Sequence, residues 1–244
     1  MITAKPYLRE VELRPDPAID WDAYPFSIPA VRDIEQIEFH ADVTLFVGEN
    51  GSGKSTVLEA LAVALELPAE GGSRNVNRSD QQAVSALQRA LLLNRSYKRP
   101  RSMYFLRAES LFNVFTYLDS IAADGAPPGP SMHEASHGEA FLNVLQGFRG
   151  DGLYLLDEPE AALSPARQLA ALRIMHQAAR DGCQFIVATH SPILLAYPGA
   201  RIFLFDGSGI SETRYEDTEH YAITHDFLNH YPRRLEQLLA DDEG

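Results

Sequence analysis

The chain has 244 residues, of which 21 are Lys or Arg and 34 are Asp or Glu, a formal charge of −13 with histidine neutral. That balance argues against a protein that coats nucleic acid through its overall charge. With 45% hydrophobic and 23% charged residues, wholesale disorder is excluded and a sizeable core is within reach. The single cysteine, Cys183, excludes an internal disulfide and a thiol zinc cluster, and points to a reducing, cytoplasmic setting. Lys5, Arg9 and Glu10 stand where a secretory signal needs an apolar run. Val57 to Leu67 is broken by Glu59 and Glu66 and falls short of the roughly 20 residues of a membrane helix, so no membrane insertion is expected.

In chain order, the pattern predicts strands at Tyr7–Leu13, Ile34–Phe39 and Val43–Val47, then a helix from Lys54 to Leu67. A helix is predicted over Asp80–Leu93, a strand at Met103–Leu106 and a helix at Leu111–Ala122. Asp124–Ser131, with three prolines, reads as a loop. A helix starting near Ser136 follows, then a strand at Leu153–Leu156, a helix at Pro165–Arg180 and strands at Gln184–Ala188 and Arg201–Phe205. Strands separated by helices imply a largely parallel sheet, and the closely spaced first strands imply a small antiparallel layer. Charge is uneven: Arg74 to Arg107 holds eight basic residues and one acid, Asp80, so it carries +7 and leaves −20 elsewhere. Two readings stay open for this segment, a solvated helix face and loop, or a surface for nucleic acid or another partner.

Gly48-Glu49-Asn50-Gly51-Ser52-Gly53-Lys54-Ser55-Thr56 fits G-x-x-x-x-G-K-[ST] between an apolar strand and a helical pattern. Glycines let successive backbone N–H groups face phosphates, and the helix start adds partial positive charge. In this reading Lys54 reaches the β- and γ-phosphates of a nucleoside triphosphate, Ser55 supplies a hydroxyl to magnesium, and Thr56 is a lesser phosphate contact. Leu153-Tyr154-Leu155-Leu156-Asp157-Glu158 is an apolar strand ending in two acids, where ligands bind in open parallel sheets. Asp157 would hold the magnesium, and Glu158 would orient the attacking water or take its proton. Gln184 to Ala188 is a third apolar strand, and His190 beyond it is a candidate contact for the γ-phosphate.

Together these residues resemble the ABC-type ATPases. Ala161-Ala162-Leu163-Ser164 is similar to the D-loop after the acidic strand, His190 matches the switch histidine, and Ser136-His137-Gly138-Glu139 resembles a variant signature sequence, with Gly138 19 residues before Asp157. The resemblance implies an α/β P-loop NTPase fold, a mostly parallel sheet with an N-terminal antiparallel layer and an inserted helical lobe. It implies ATP and magnesium as cofactors, and a homodimer sandwiching two ATP molecules in which Ser136 and Gly138 act on the partner's nucleotide and Ser164 passes near its site. The sequence departs from the family at Ala135, at His137 and at Glu109, which stands where the family has a glutamine that meets the metal. The insertion over Gly71–Gly150 and the lack of a membrane segment look more like soluble RecF-like and chromosome-maintenance heads than transporter subunits.

Other features carry less chemistry. His133-Glu134-Ala135-Ser136-His137 matches H-E-x-x-H but follows a proline-rich loop and has no evident third ligand. His220, His225 and His230 are five apart, which turns them about 140° per step around a helix. Cys183 reads as a buried small residue. Of Trp21, Tyr24 and Phe26, upstream of the phosphate loop where transporter-type members stack an aromatic on adenine, at least two read as core.

The expectation is one ABC-type ATPase domain over 1–244, with 1–70 and 151–214 as nucleotide-binding core, 71–150 as inserted lobe and 215–244 as C-terminal helices. It would hydrolyse Mg-ATP to drive or gate an unknown protein partner, in DNA maintenance or defence. A transporter's nucleotide-binding subunit and an ATP-dependent binding switch with little turnover are the alternatives.

Overall fold

A computed structural model describes residues 5–14, 16–17, 19–68, 71–73, 86–108, 137–148 and 150–240. The first strand, β1 (Leu8–Leu13), precedes a short helix, α1 (Pro29–Arg32), and then come β2 (Gln36–Glu38), β3 (Val43–Gly48) and α2 (Lys54–Ala64). Next are β4 (Gly72–Ser73), α3 (Ala86–Ala90), β5 (Leu91–Arg95), β6 (Ser102–Arg107), α4 (His137–Gly147) and β7 (Gly152–Asp157). A 3-10 turn (Pro159–Ala162) leads into α5 (Pro165–Arg180), β8 (Gln184–Ala188), α6 (Pro192–Leu195), β9 (Arg201–Asp206) and β10 (Gly209–Thr213). A second 3-10 turn (Tyr215–Asp217) and the long α7 (Glu219–Ala240) follow.

The main sheet runs β10-β9-β3-β8-β7-β6-β4. Its five central strands are parallel, and the edge strands β10 and β4 run antiparallel to their neighbours. Alternation along the buried strands divides the core in two. From β3 and β7, Phe46, Leu153 and Leu155 face α2 and the antiparallel layer. Leu45, Val47, Tyr154 and Leu156 face α4 and α5 on the other side, together with Phe141 and Met175.

The antiparallel layer is β2-β1-β5. Here the predicted helix over Asp80–Leu93 is corrected. Only Ala86–Ala90 is helical among its described residues, and Leu91–Arg95 is a strand, with Leu93 opposite Val11 and Leu91 opposite Leu13. Leucine is a strong helix former, but pairing with β1 satisfies the backbone and packs Leu91 and Leu93 on the core, and tertiary context overrides propensity. The basic stretch 91–107 therefore contributes strands to both sheets. The sequence reading also missed β10 and the short α6. The predicted helix Leu111–Ala122 and loop Asp124–Ser131 lie outside the described residues.

One buried side chain joins the two sheets. Gln184 Oε1 accepts from the Tyr7 and Leu8 N–H groups at 2.8 and 3.0 Å, and Nε2 donates to the carbonyls of Leu8 and His40 at 2.8 and 3.1 Å. All of the amide's hydrogen-bonding capacity is used in the interior, which removes the cost of burying it.

Candidate functional site

Register sets the site. Ala188 of β8 lies opposite Phe46 of β3 on one side and opposite Asp157 of β7 on the other, so the three strands end level. Two residues beyond Phe46 the phosphate loop begins at Gly48, one beyond Asp157 stands Glu158, and two beyond Ala188 stands His190. Three chain segments distant in sequence thus open on one carboxyl edge of a parallel sheet, where such folds bind ligands.

At Gly48 (φ +150°) an added Cβ would lie 2.1 Å from the Phe205 carbonyl oxygen, so only glycine lets the loop leave β3 beside β9. Gly53, left-handed at φ +104°, turns the chain into α2. Lys54 opens that helix with its side chain buried, and Nζ donates to the Gly48 and Glu49 carbonyls at 2.8 Å each. Burial pushes its pKa down, opposed by the charges of Glu158, Asp157 and Glu160. The ammonium is thus held inside the loop by carbonyl oxygens and a surrounding field of carboxylates.

Ser55 Oγ donates to Asp157 Oδ1 at 2.9 Å, and Asp157 is itself buried. Its other oxygen lies 3.5 Å from Arg107 Nε, whose Nη1 reaches Glu59 at 3.2 Å. Glu158 is left-handed (φ 47°, ψ 51°), an uncommon conformation for a residue with a Cβ, and its N–H donates to the Ala188 carbonyl at 2.9 Å. That bend carries its carboxylate off the strand direction toward His190, whose Nε2 is 3.5 Å from Glu158 Oε1. Burial pushes the His190 pKa below its ordinary value, helped by the Lys54 charge and opposed by Glu158.

The sequence reading missed two side chains. Glu160, in the 3-10 turn after Glu158, accepts from the Thr189 hydroxyl at 2.7 Å and from the His190 N–H at 2.5 Å. Burial pushes its carboxyl up, and those two donors pull the other way. It fastens the turn after the acidic strand to the segment bearing His190; an acid just after an Asp-Glu-Pro run was the available signal. The second is Arg107, level with Asp157 in the β6–β7 register. A basic residue ending a strand beside an acid-ending strand could have been noticed only once that pairing was known.

The remaining expected site residues fall in several places. Asn50 and Gly51 are exposed at the loop tip, and Thr56 Oγ1 lies 3.3 Å from the Tyr24 hydroxyl. Of the upstream aromatics Phe26 alone is buried, which corrects the expectation of at least two core residues: Trp21 is exposed although it packs edge-on against Phe26 with ring centroids 5.9 Å apart, and Tyr24 is 71% exposed. Gly138, in the first turn of α4, is buried within its own chain, where a Cβ would lie 2.8 Å from the Ala162 carbonyl oxygen and 2.7 Å from Arg167 Nη1. Ser164 is exposed at the start of α5. Ser136 and Glu109 lie outside the described residues, as do His133 and Glu134. His220 meets His190, His225 stacks on Tyr221 and His230 pairs with Asp226, so the three histidines take three different partners. Cys183 is fully buried.

Two observations test whether these residues fit a nucleotide with its metal. Among the described residues Ser52 Oγ, beside Gly48, is a buried polar atom without a hydrogen-bond partner, and His190 Nε2 is buried with only the long 3.5 Å approach to Glu158 Oε1, so both have capacity left for a further polar group. The Ser55 hydroxyl and Asp157 carboxylate form a hard oxygen pair of the kind magnesium takes together with water and phosphate. The residues fit.

The basic segment is partly used within the chain. Lys98 Nζ donates to Asp151 at 2.7 Å, Arg101 Nε lies 3.4 Å from the same carboxylate, and Arg107 is engaged at the site. Arg74 and Arg78 lie outside the described residues. Among the described residues no helix is long and apolar enough to cross a membrane.

A family model described as "AAA domain" matches residues 26–90, which include the phosphate loop. One described as "AAA domain, putative AbiEii toxin, Type IV TA system" matches 127–196, which include Asp157, Glu158 and His190. An uncharacterized ABC transporter ATP-binding protein of Mycobacterium tuberculosis is 28% identical over 176 residues, covering 68% of this chain and 25% of that protein. The chain thus spans a quarter of that relative's length. The hemin import ATP-binding protein HmuV of Nocardia farcinica is 26% identical over 216 residues, 76% of this chain and 71% of that protein. Among solved structures, cbiO1 of Clostridium perfringens, described as part of the ABC transporter complex cbiONQ, superposes with a TM-score of 0.51 at 17% identity, over 96% of this chain and 99% of that one. That likeness concerns the fold. The order of motifs, their convergence on one sheet edge and these similarities together support an ABC-type P-loop ATPase, and the likeness to cbiO1 supports its fold.

Proposed function

We propose that the chain hydrolyses ATP with magnesium as a single domain whose nucleotide core takes in 1–70 and 151–214 together with strands β4, β5 and β6 of the 71–150 segment, the rest of that segment being the signature-bearing lobe and 215–244 the C-terminal helical part. The observation that carries this reading is the convergence of Lys54, Ser55, Asp157, Glu158 and His190 at one sheet edge. Loop N–H groups and Lys54 bind the phosphates, with the Lys54 ammonium exchanging its carbonyl partners for β- and γ-phosphate oxygens. Ser55 and Asp157 hold the metal, and Glu109 is a further candidate ligand. When bound, magnesium neutralises charge on the β- and γ-phosphates.

Glu158 orients a water and accepts its proton as the water oxygen bonds to the γ-phosphorus. The bond from that phosphorus to the β–γ bridging oxygen breaks, and ADP and inorganic phosphate leave. His190 donates to the γ-phosphate, and Tyr24, exposed beside Thr56, is the aromatic placed to meet the base. Ser136 and Gly138 act on the partner's nucleotide in a two-fold homodimer, and turnover gates an unknown protein partner in the cytoplasm, in DNA maintenance or defence.

Phosphate release measured against protein concentration tests this reading. Specific activity that rises with concentration supports the dimeric enzyme, whereas negligible release with tight ATP binding identifies a switch. The names of the relatives favour one second reading, the ATP-binding subunit of a transporter. Stoichiometric copurification of an integral membrane protein with the full chain would establish it.

A further inference from the structure

The start of α7 is fastened beside the switch histidine. Thr218, buried ahead of the helix, donates through Oγ1 to the Tyr215 carbonyl at 2.7 Å, and the Tyr215 hydroxyl donates to the carbonyl of Pro192, two residues beyond His190, at 2.9 Å. The first turns of α7 thereby form one wall of a cleft of about 540 Å³ whose other side is the phosphate loop; Glu49, Asn50, His190, His220 and Ile223 all line it. No residue of α7 is buried. This end is attached by the Tyr215–Tyr221 ring contact, with centroids 4.7 Å apart, and by polar contacts, one of which reaches the site: His220 Nε2 lies 3.1 Å from His190 Nδ1.

A neutral imidazole carries one proton, so a hydrogen bond at one nitrogen decides the state of the other. The direction of the His190–His220 bond follows from what faces the opposite side of the His190 ring. His190 Nε2 is buried and, among the described residues, has only the long 3.5 Å approach to Glu158 Oε1. A lone pair there would face a carboxylate oxygen, acceptor against acceptor, whereas an N–H faces it favourably. The proton therefore belongs on His190 Nε2, His190 Nδ1 is an acceptor, and His220 Nε2–H is the donor. Burial pushes both imidazoles below their ordinary pKa, which agrees with two neutral rings sharing one hydrogen bond.

We infer that His220 is a positioning residue: by donating to His190 Nδ1 it holds the switch histidine in the tautomer and orientation that present Nε2–H to Glu158 and to a γ-phosphate. The catalytic part of this inference rests on the ATPase reading above; the tautomer part does not. It places the C-terminal helix in direct communication with the reacting end of the nucleotide through one hydrogen bond.

The test uses the full chain, three substitutions at His220 and His190→Gln for assignment. His220→Leu and His220→Phe remove the donor and keep apolar bulk, and His220→Gln keeps an N–H donor at similar reach. Ring nitrogen shifts of ¹⁵N-histidine protein, with His190 assigned through His190→Gln, report the tautomer without nucleotide. The expected result is a protonated Nε2 and unprotonated Nδ1 at His190 in the wild type and in His220→Gln, and loss of that state in His220→Leu and His220→Phe. With ATP, kcat should fall on the order of ten-fold in the two apolar variants, as for other partners that orient a functional histidine, with KM within about two-fold, and His220→Gln should restore it. Unchanged His190 shifts in both apolar variants, or an equal loss of kcat in all three, would overturn the proposal. If the wild type itself shows no turnover, the ATPase reading fails while the nitrogen shifts still decide the role of His220.

Discussion

The Ser55 hydroxyl donates to the Asp157 carboxylate at 2.9 Å across 102 residues of sequence, joining the phosphate loop to the end of the acidic strand. Both side chains are thereby held at the place where the proposed reaction needs a metal, so the oxygen donors are pre-positioned. Asp157→Asn keeps the shape and removes the charge. Magnesium-dependent ATP affinity, read by a fluorescent analogue with and without the metal, should weaken about ten-fold, roughly 1.4 kcal/mol, while metal-free binding stays within about two-fold. Equal weakening in both conditions would show that Asp157 supports the loop and not a metal.

Glu158 pairs geometrically with His190 and adopts a left-handed backbone. Glu158→Gln preserves the volume and removes the base. ATP binding should persist, turnover should drop by about 10²-fold or more, and an ATP-dependent dimer should accumulate on size exclusion. A monomer at saturating ATP in this variant would count against the nucleotide-sandwich arrangement.

Glu160 accepts from both Thr189 and His190. Glu160→Ala leaves a hydroxyl and a backbone N–H without their acceptor and loosens the segment carrying His190. Unfolding in urea should show a loss of about 1–3 kcal/mol, with kcat reduced and ATP affinity nearly kept. An unchanged kcat would mean that the His190 position does not depend on this tie.

Burial pushes both His190 and His220 below the ordinary imidazole value of 6.5, and the Lys54 charge acts the same way on each. Opposing them are Glu158 at His190, and Glu219 and Glu160 at His220. The unfolded chain takes up these protons near 6.5 and the folded chain only at lower pH. The unfolded state therefore binds more protons below 6.5, and stability falls as pH falls through that window. Melting temperatures from pH 7.5 downward should show this decline, and His220→Gln, which removes one titrating ring and keeps a donor, should flatten it. Parallel curves for the two proteins would contradict the assignment.

Gln184 joins the antiparallel layer to the main sheet through four hydrogen bonds. Gln184→Leu is nearly isosteric yet strands two N–H groups and two carbonyls in the interior. A loss of about 3 kcal/mol in denaturant unfolding is expected. A change under about 0.5 kcal/mol would show that β1 is held by its apolar face alone.

The sequence alone was enough to place the glycine-rich loop, the acid-ending strand and His190 at strand ends, because each couples a run of apolar residues to a short polar motif. It also disclosed the parallel sheet and the first strands of the antiparallel layer, since periodicity is a local signal. It misassigned Leu91–Arg95, where a helix-forming leucine run becomes a strand by pairing with β1, a partner some 80 residues away. Glu160, Arg107 and His220 look like ordinary charged or polar positions in the sequence. Their partners, His190 and Asp157, are supplied by other segments, and sheet register and the docking of the start of α7 bring them within reach. The candidate site motifs are contiguous in the sequence; which side chains hold them in place depended on contacts between distant segments, which only the tertiary structure decides.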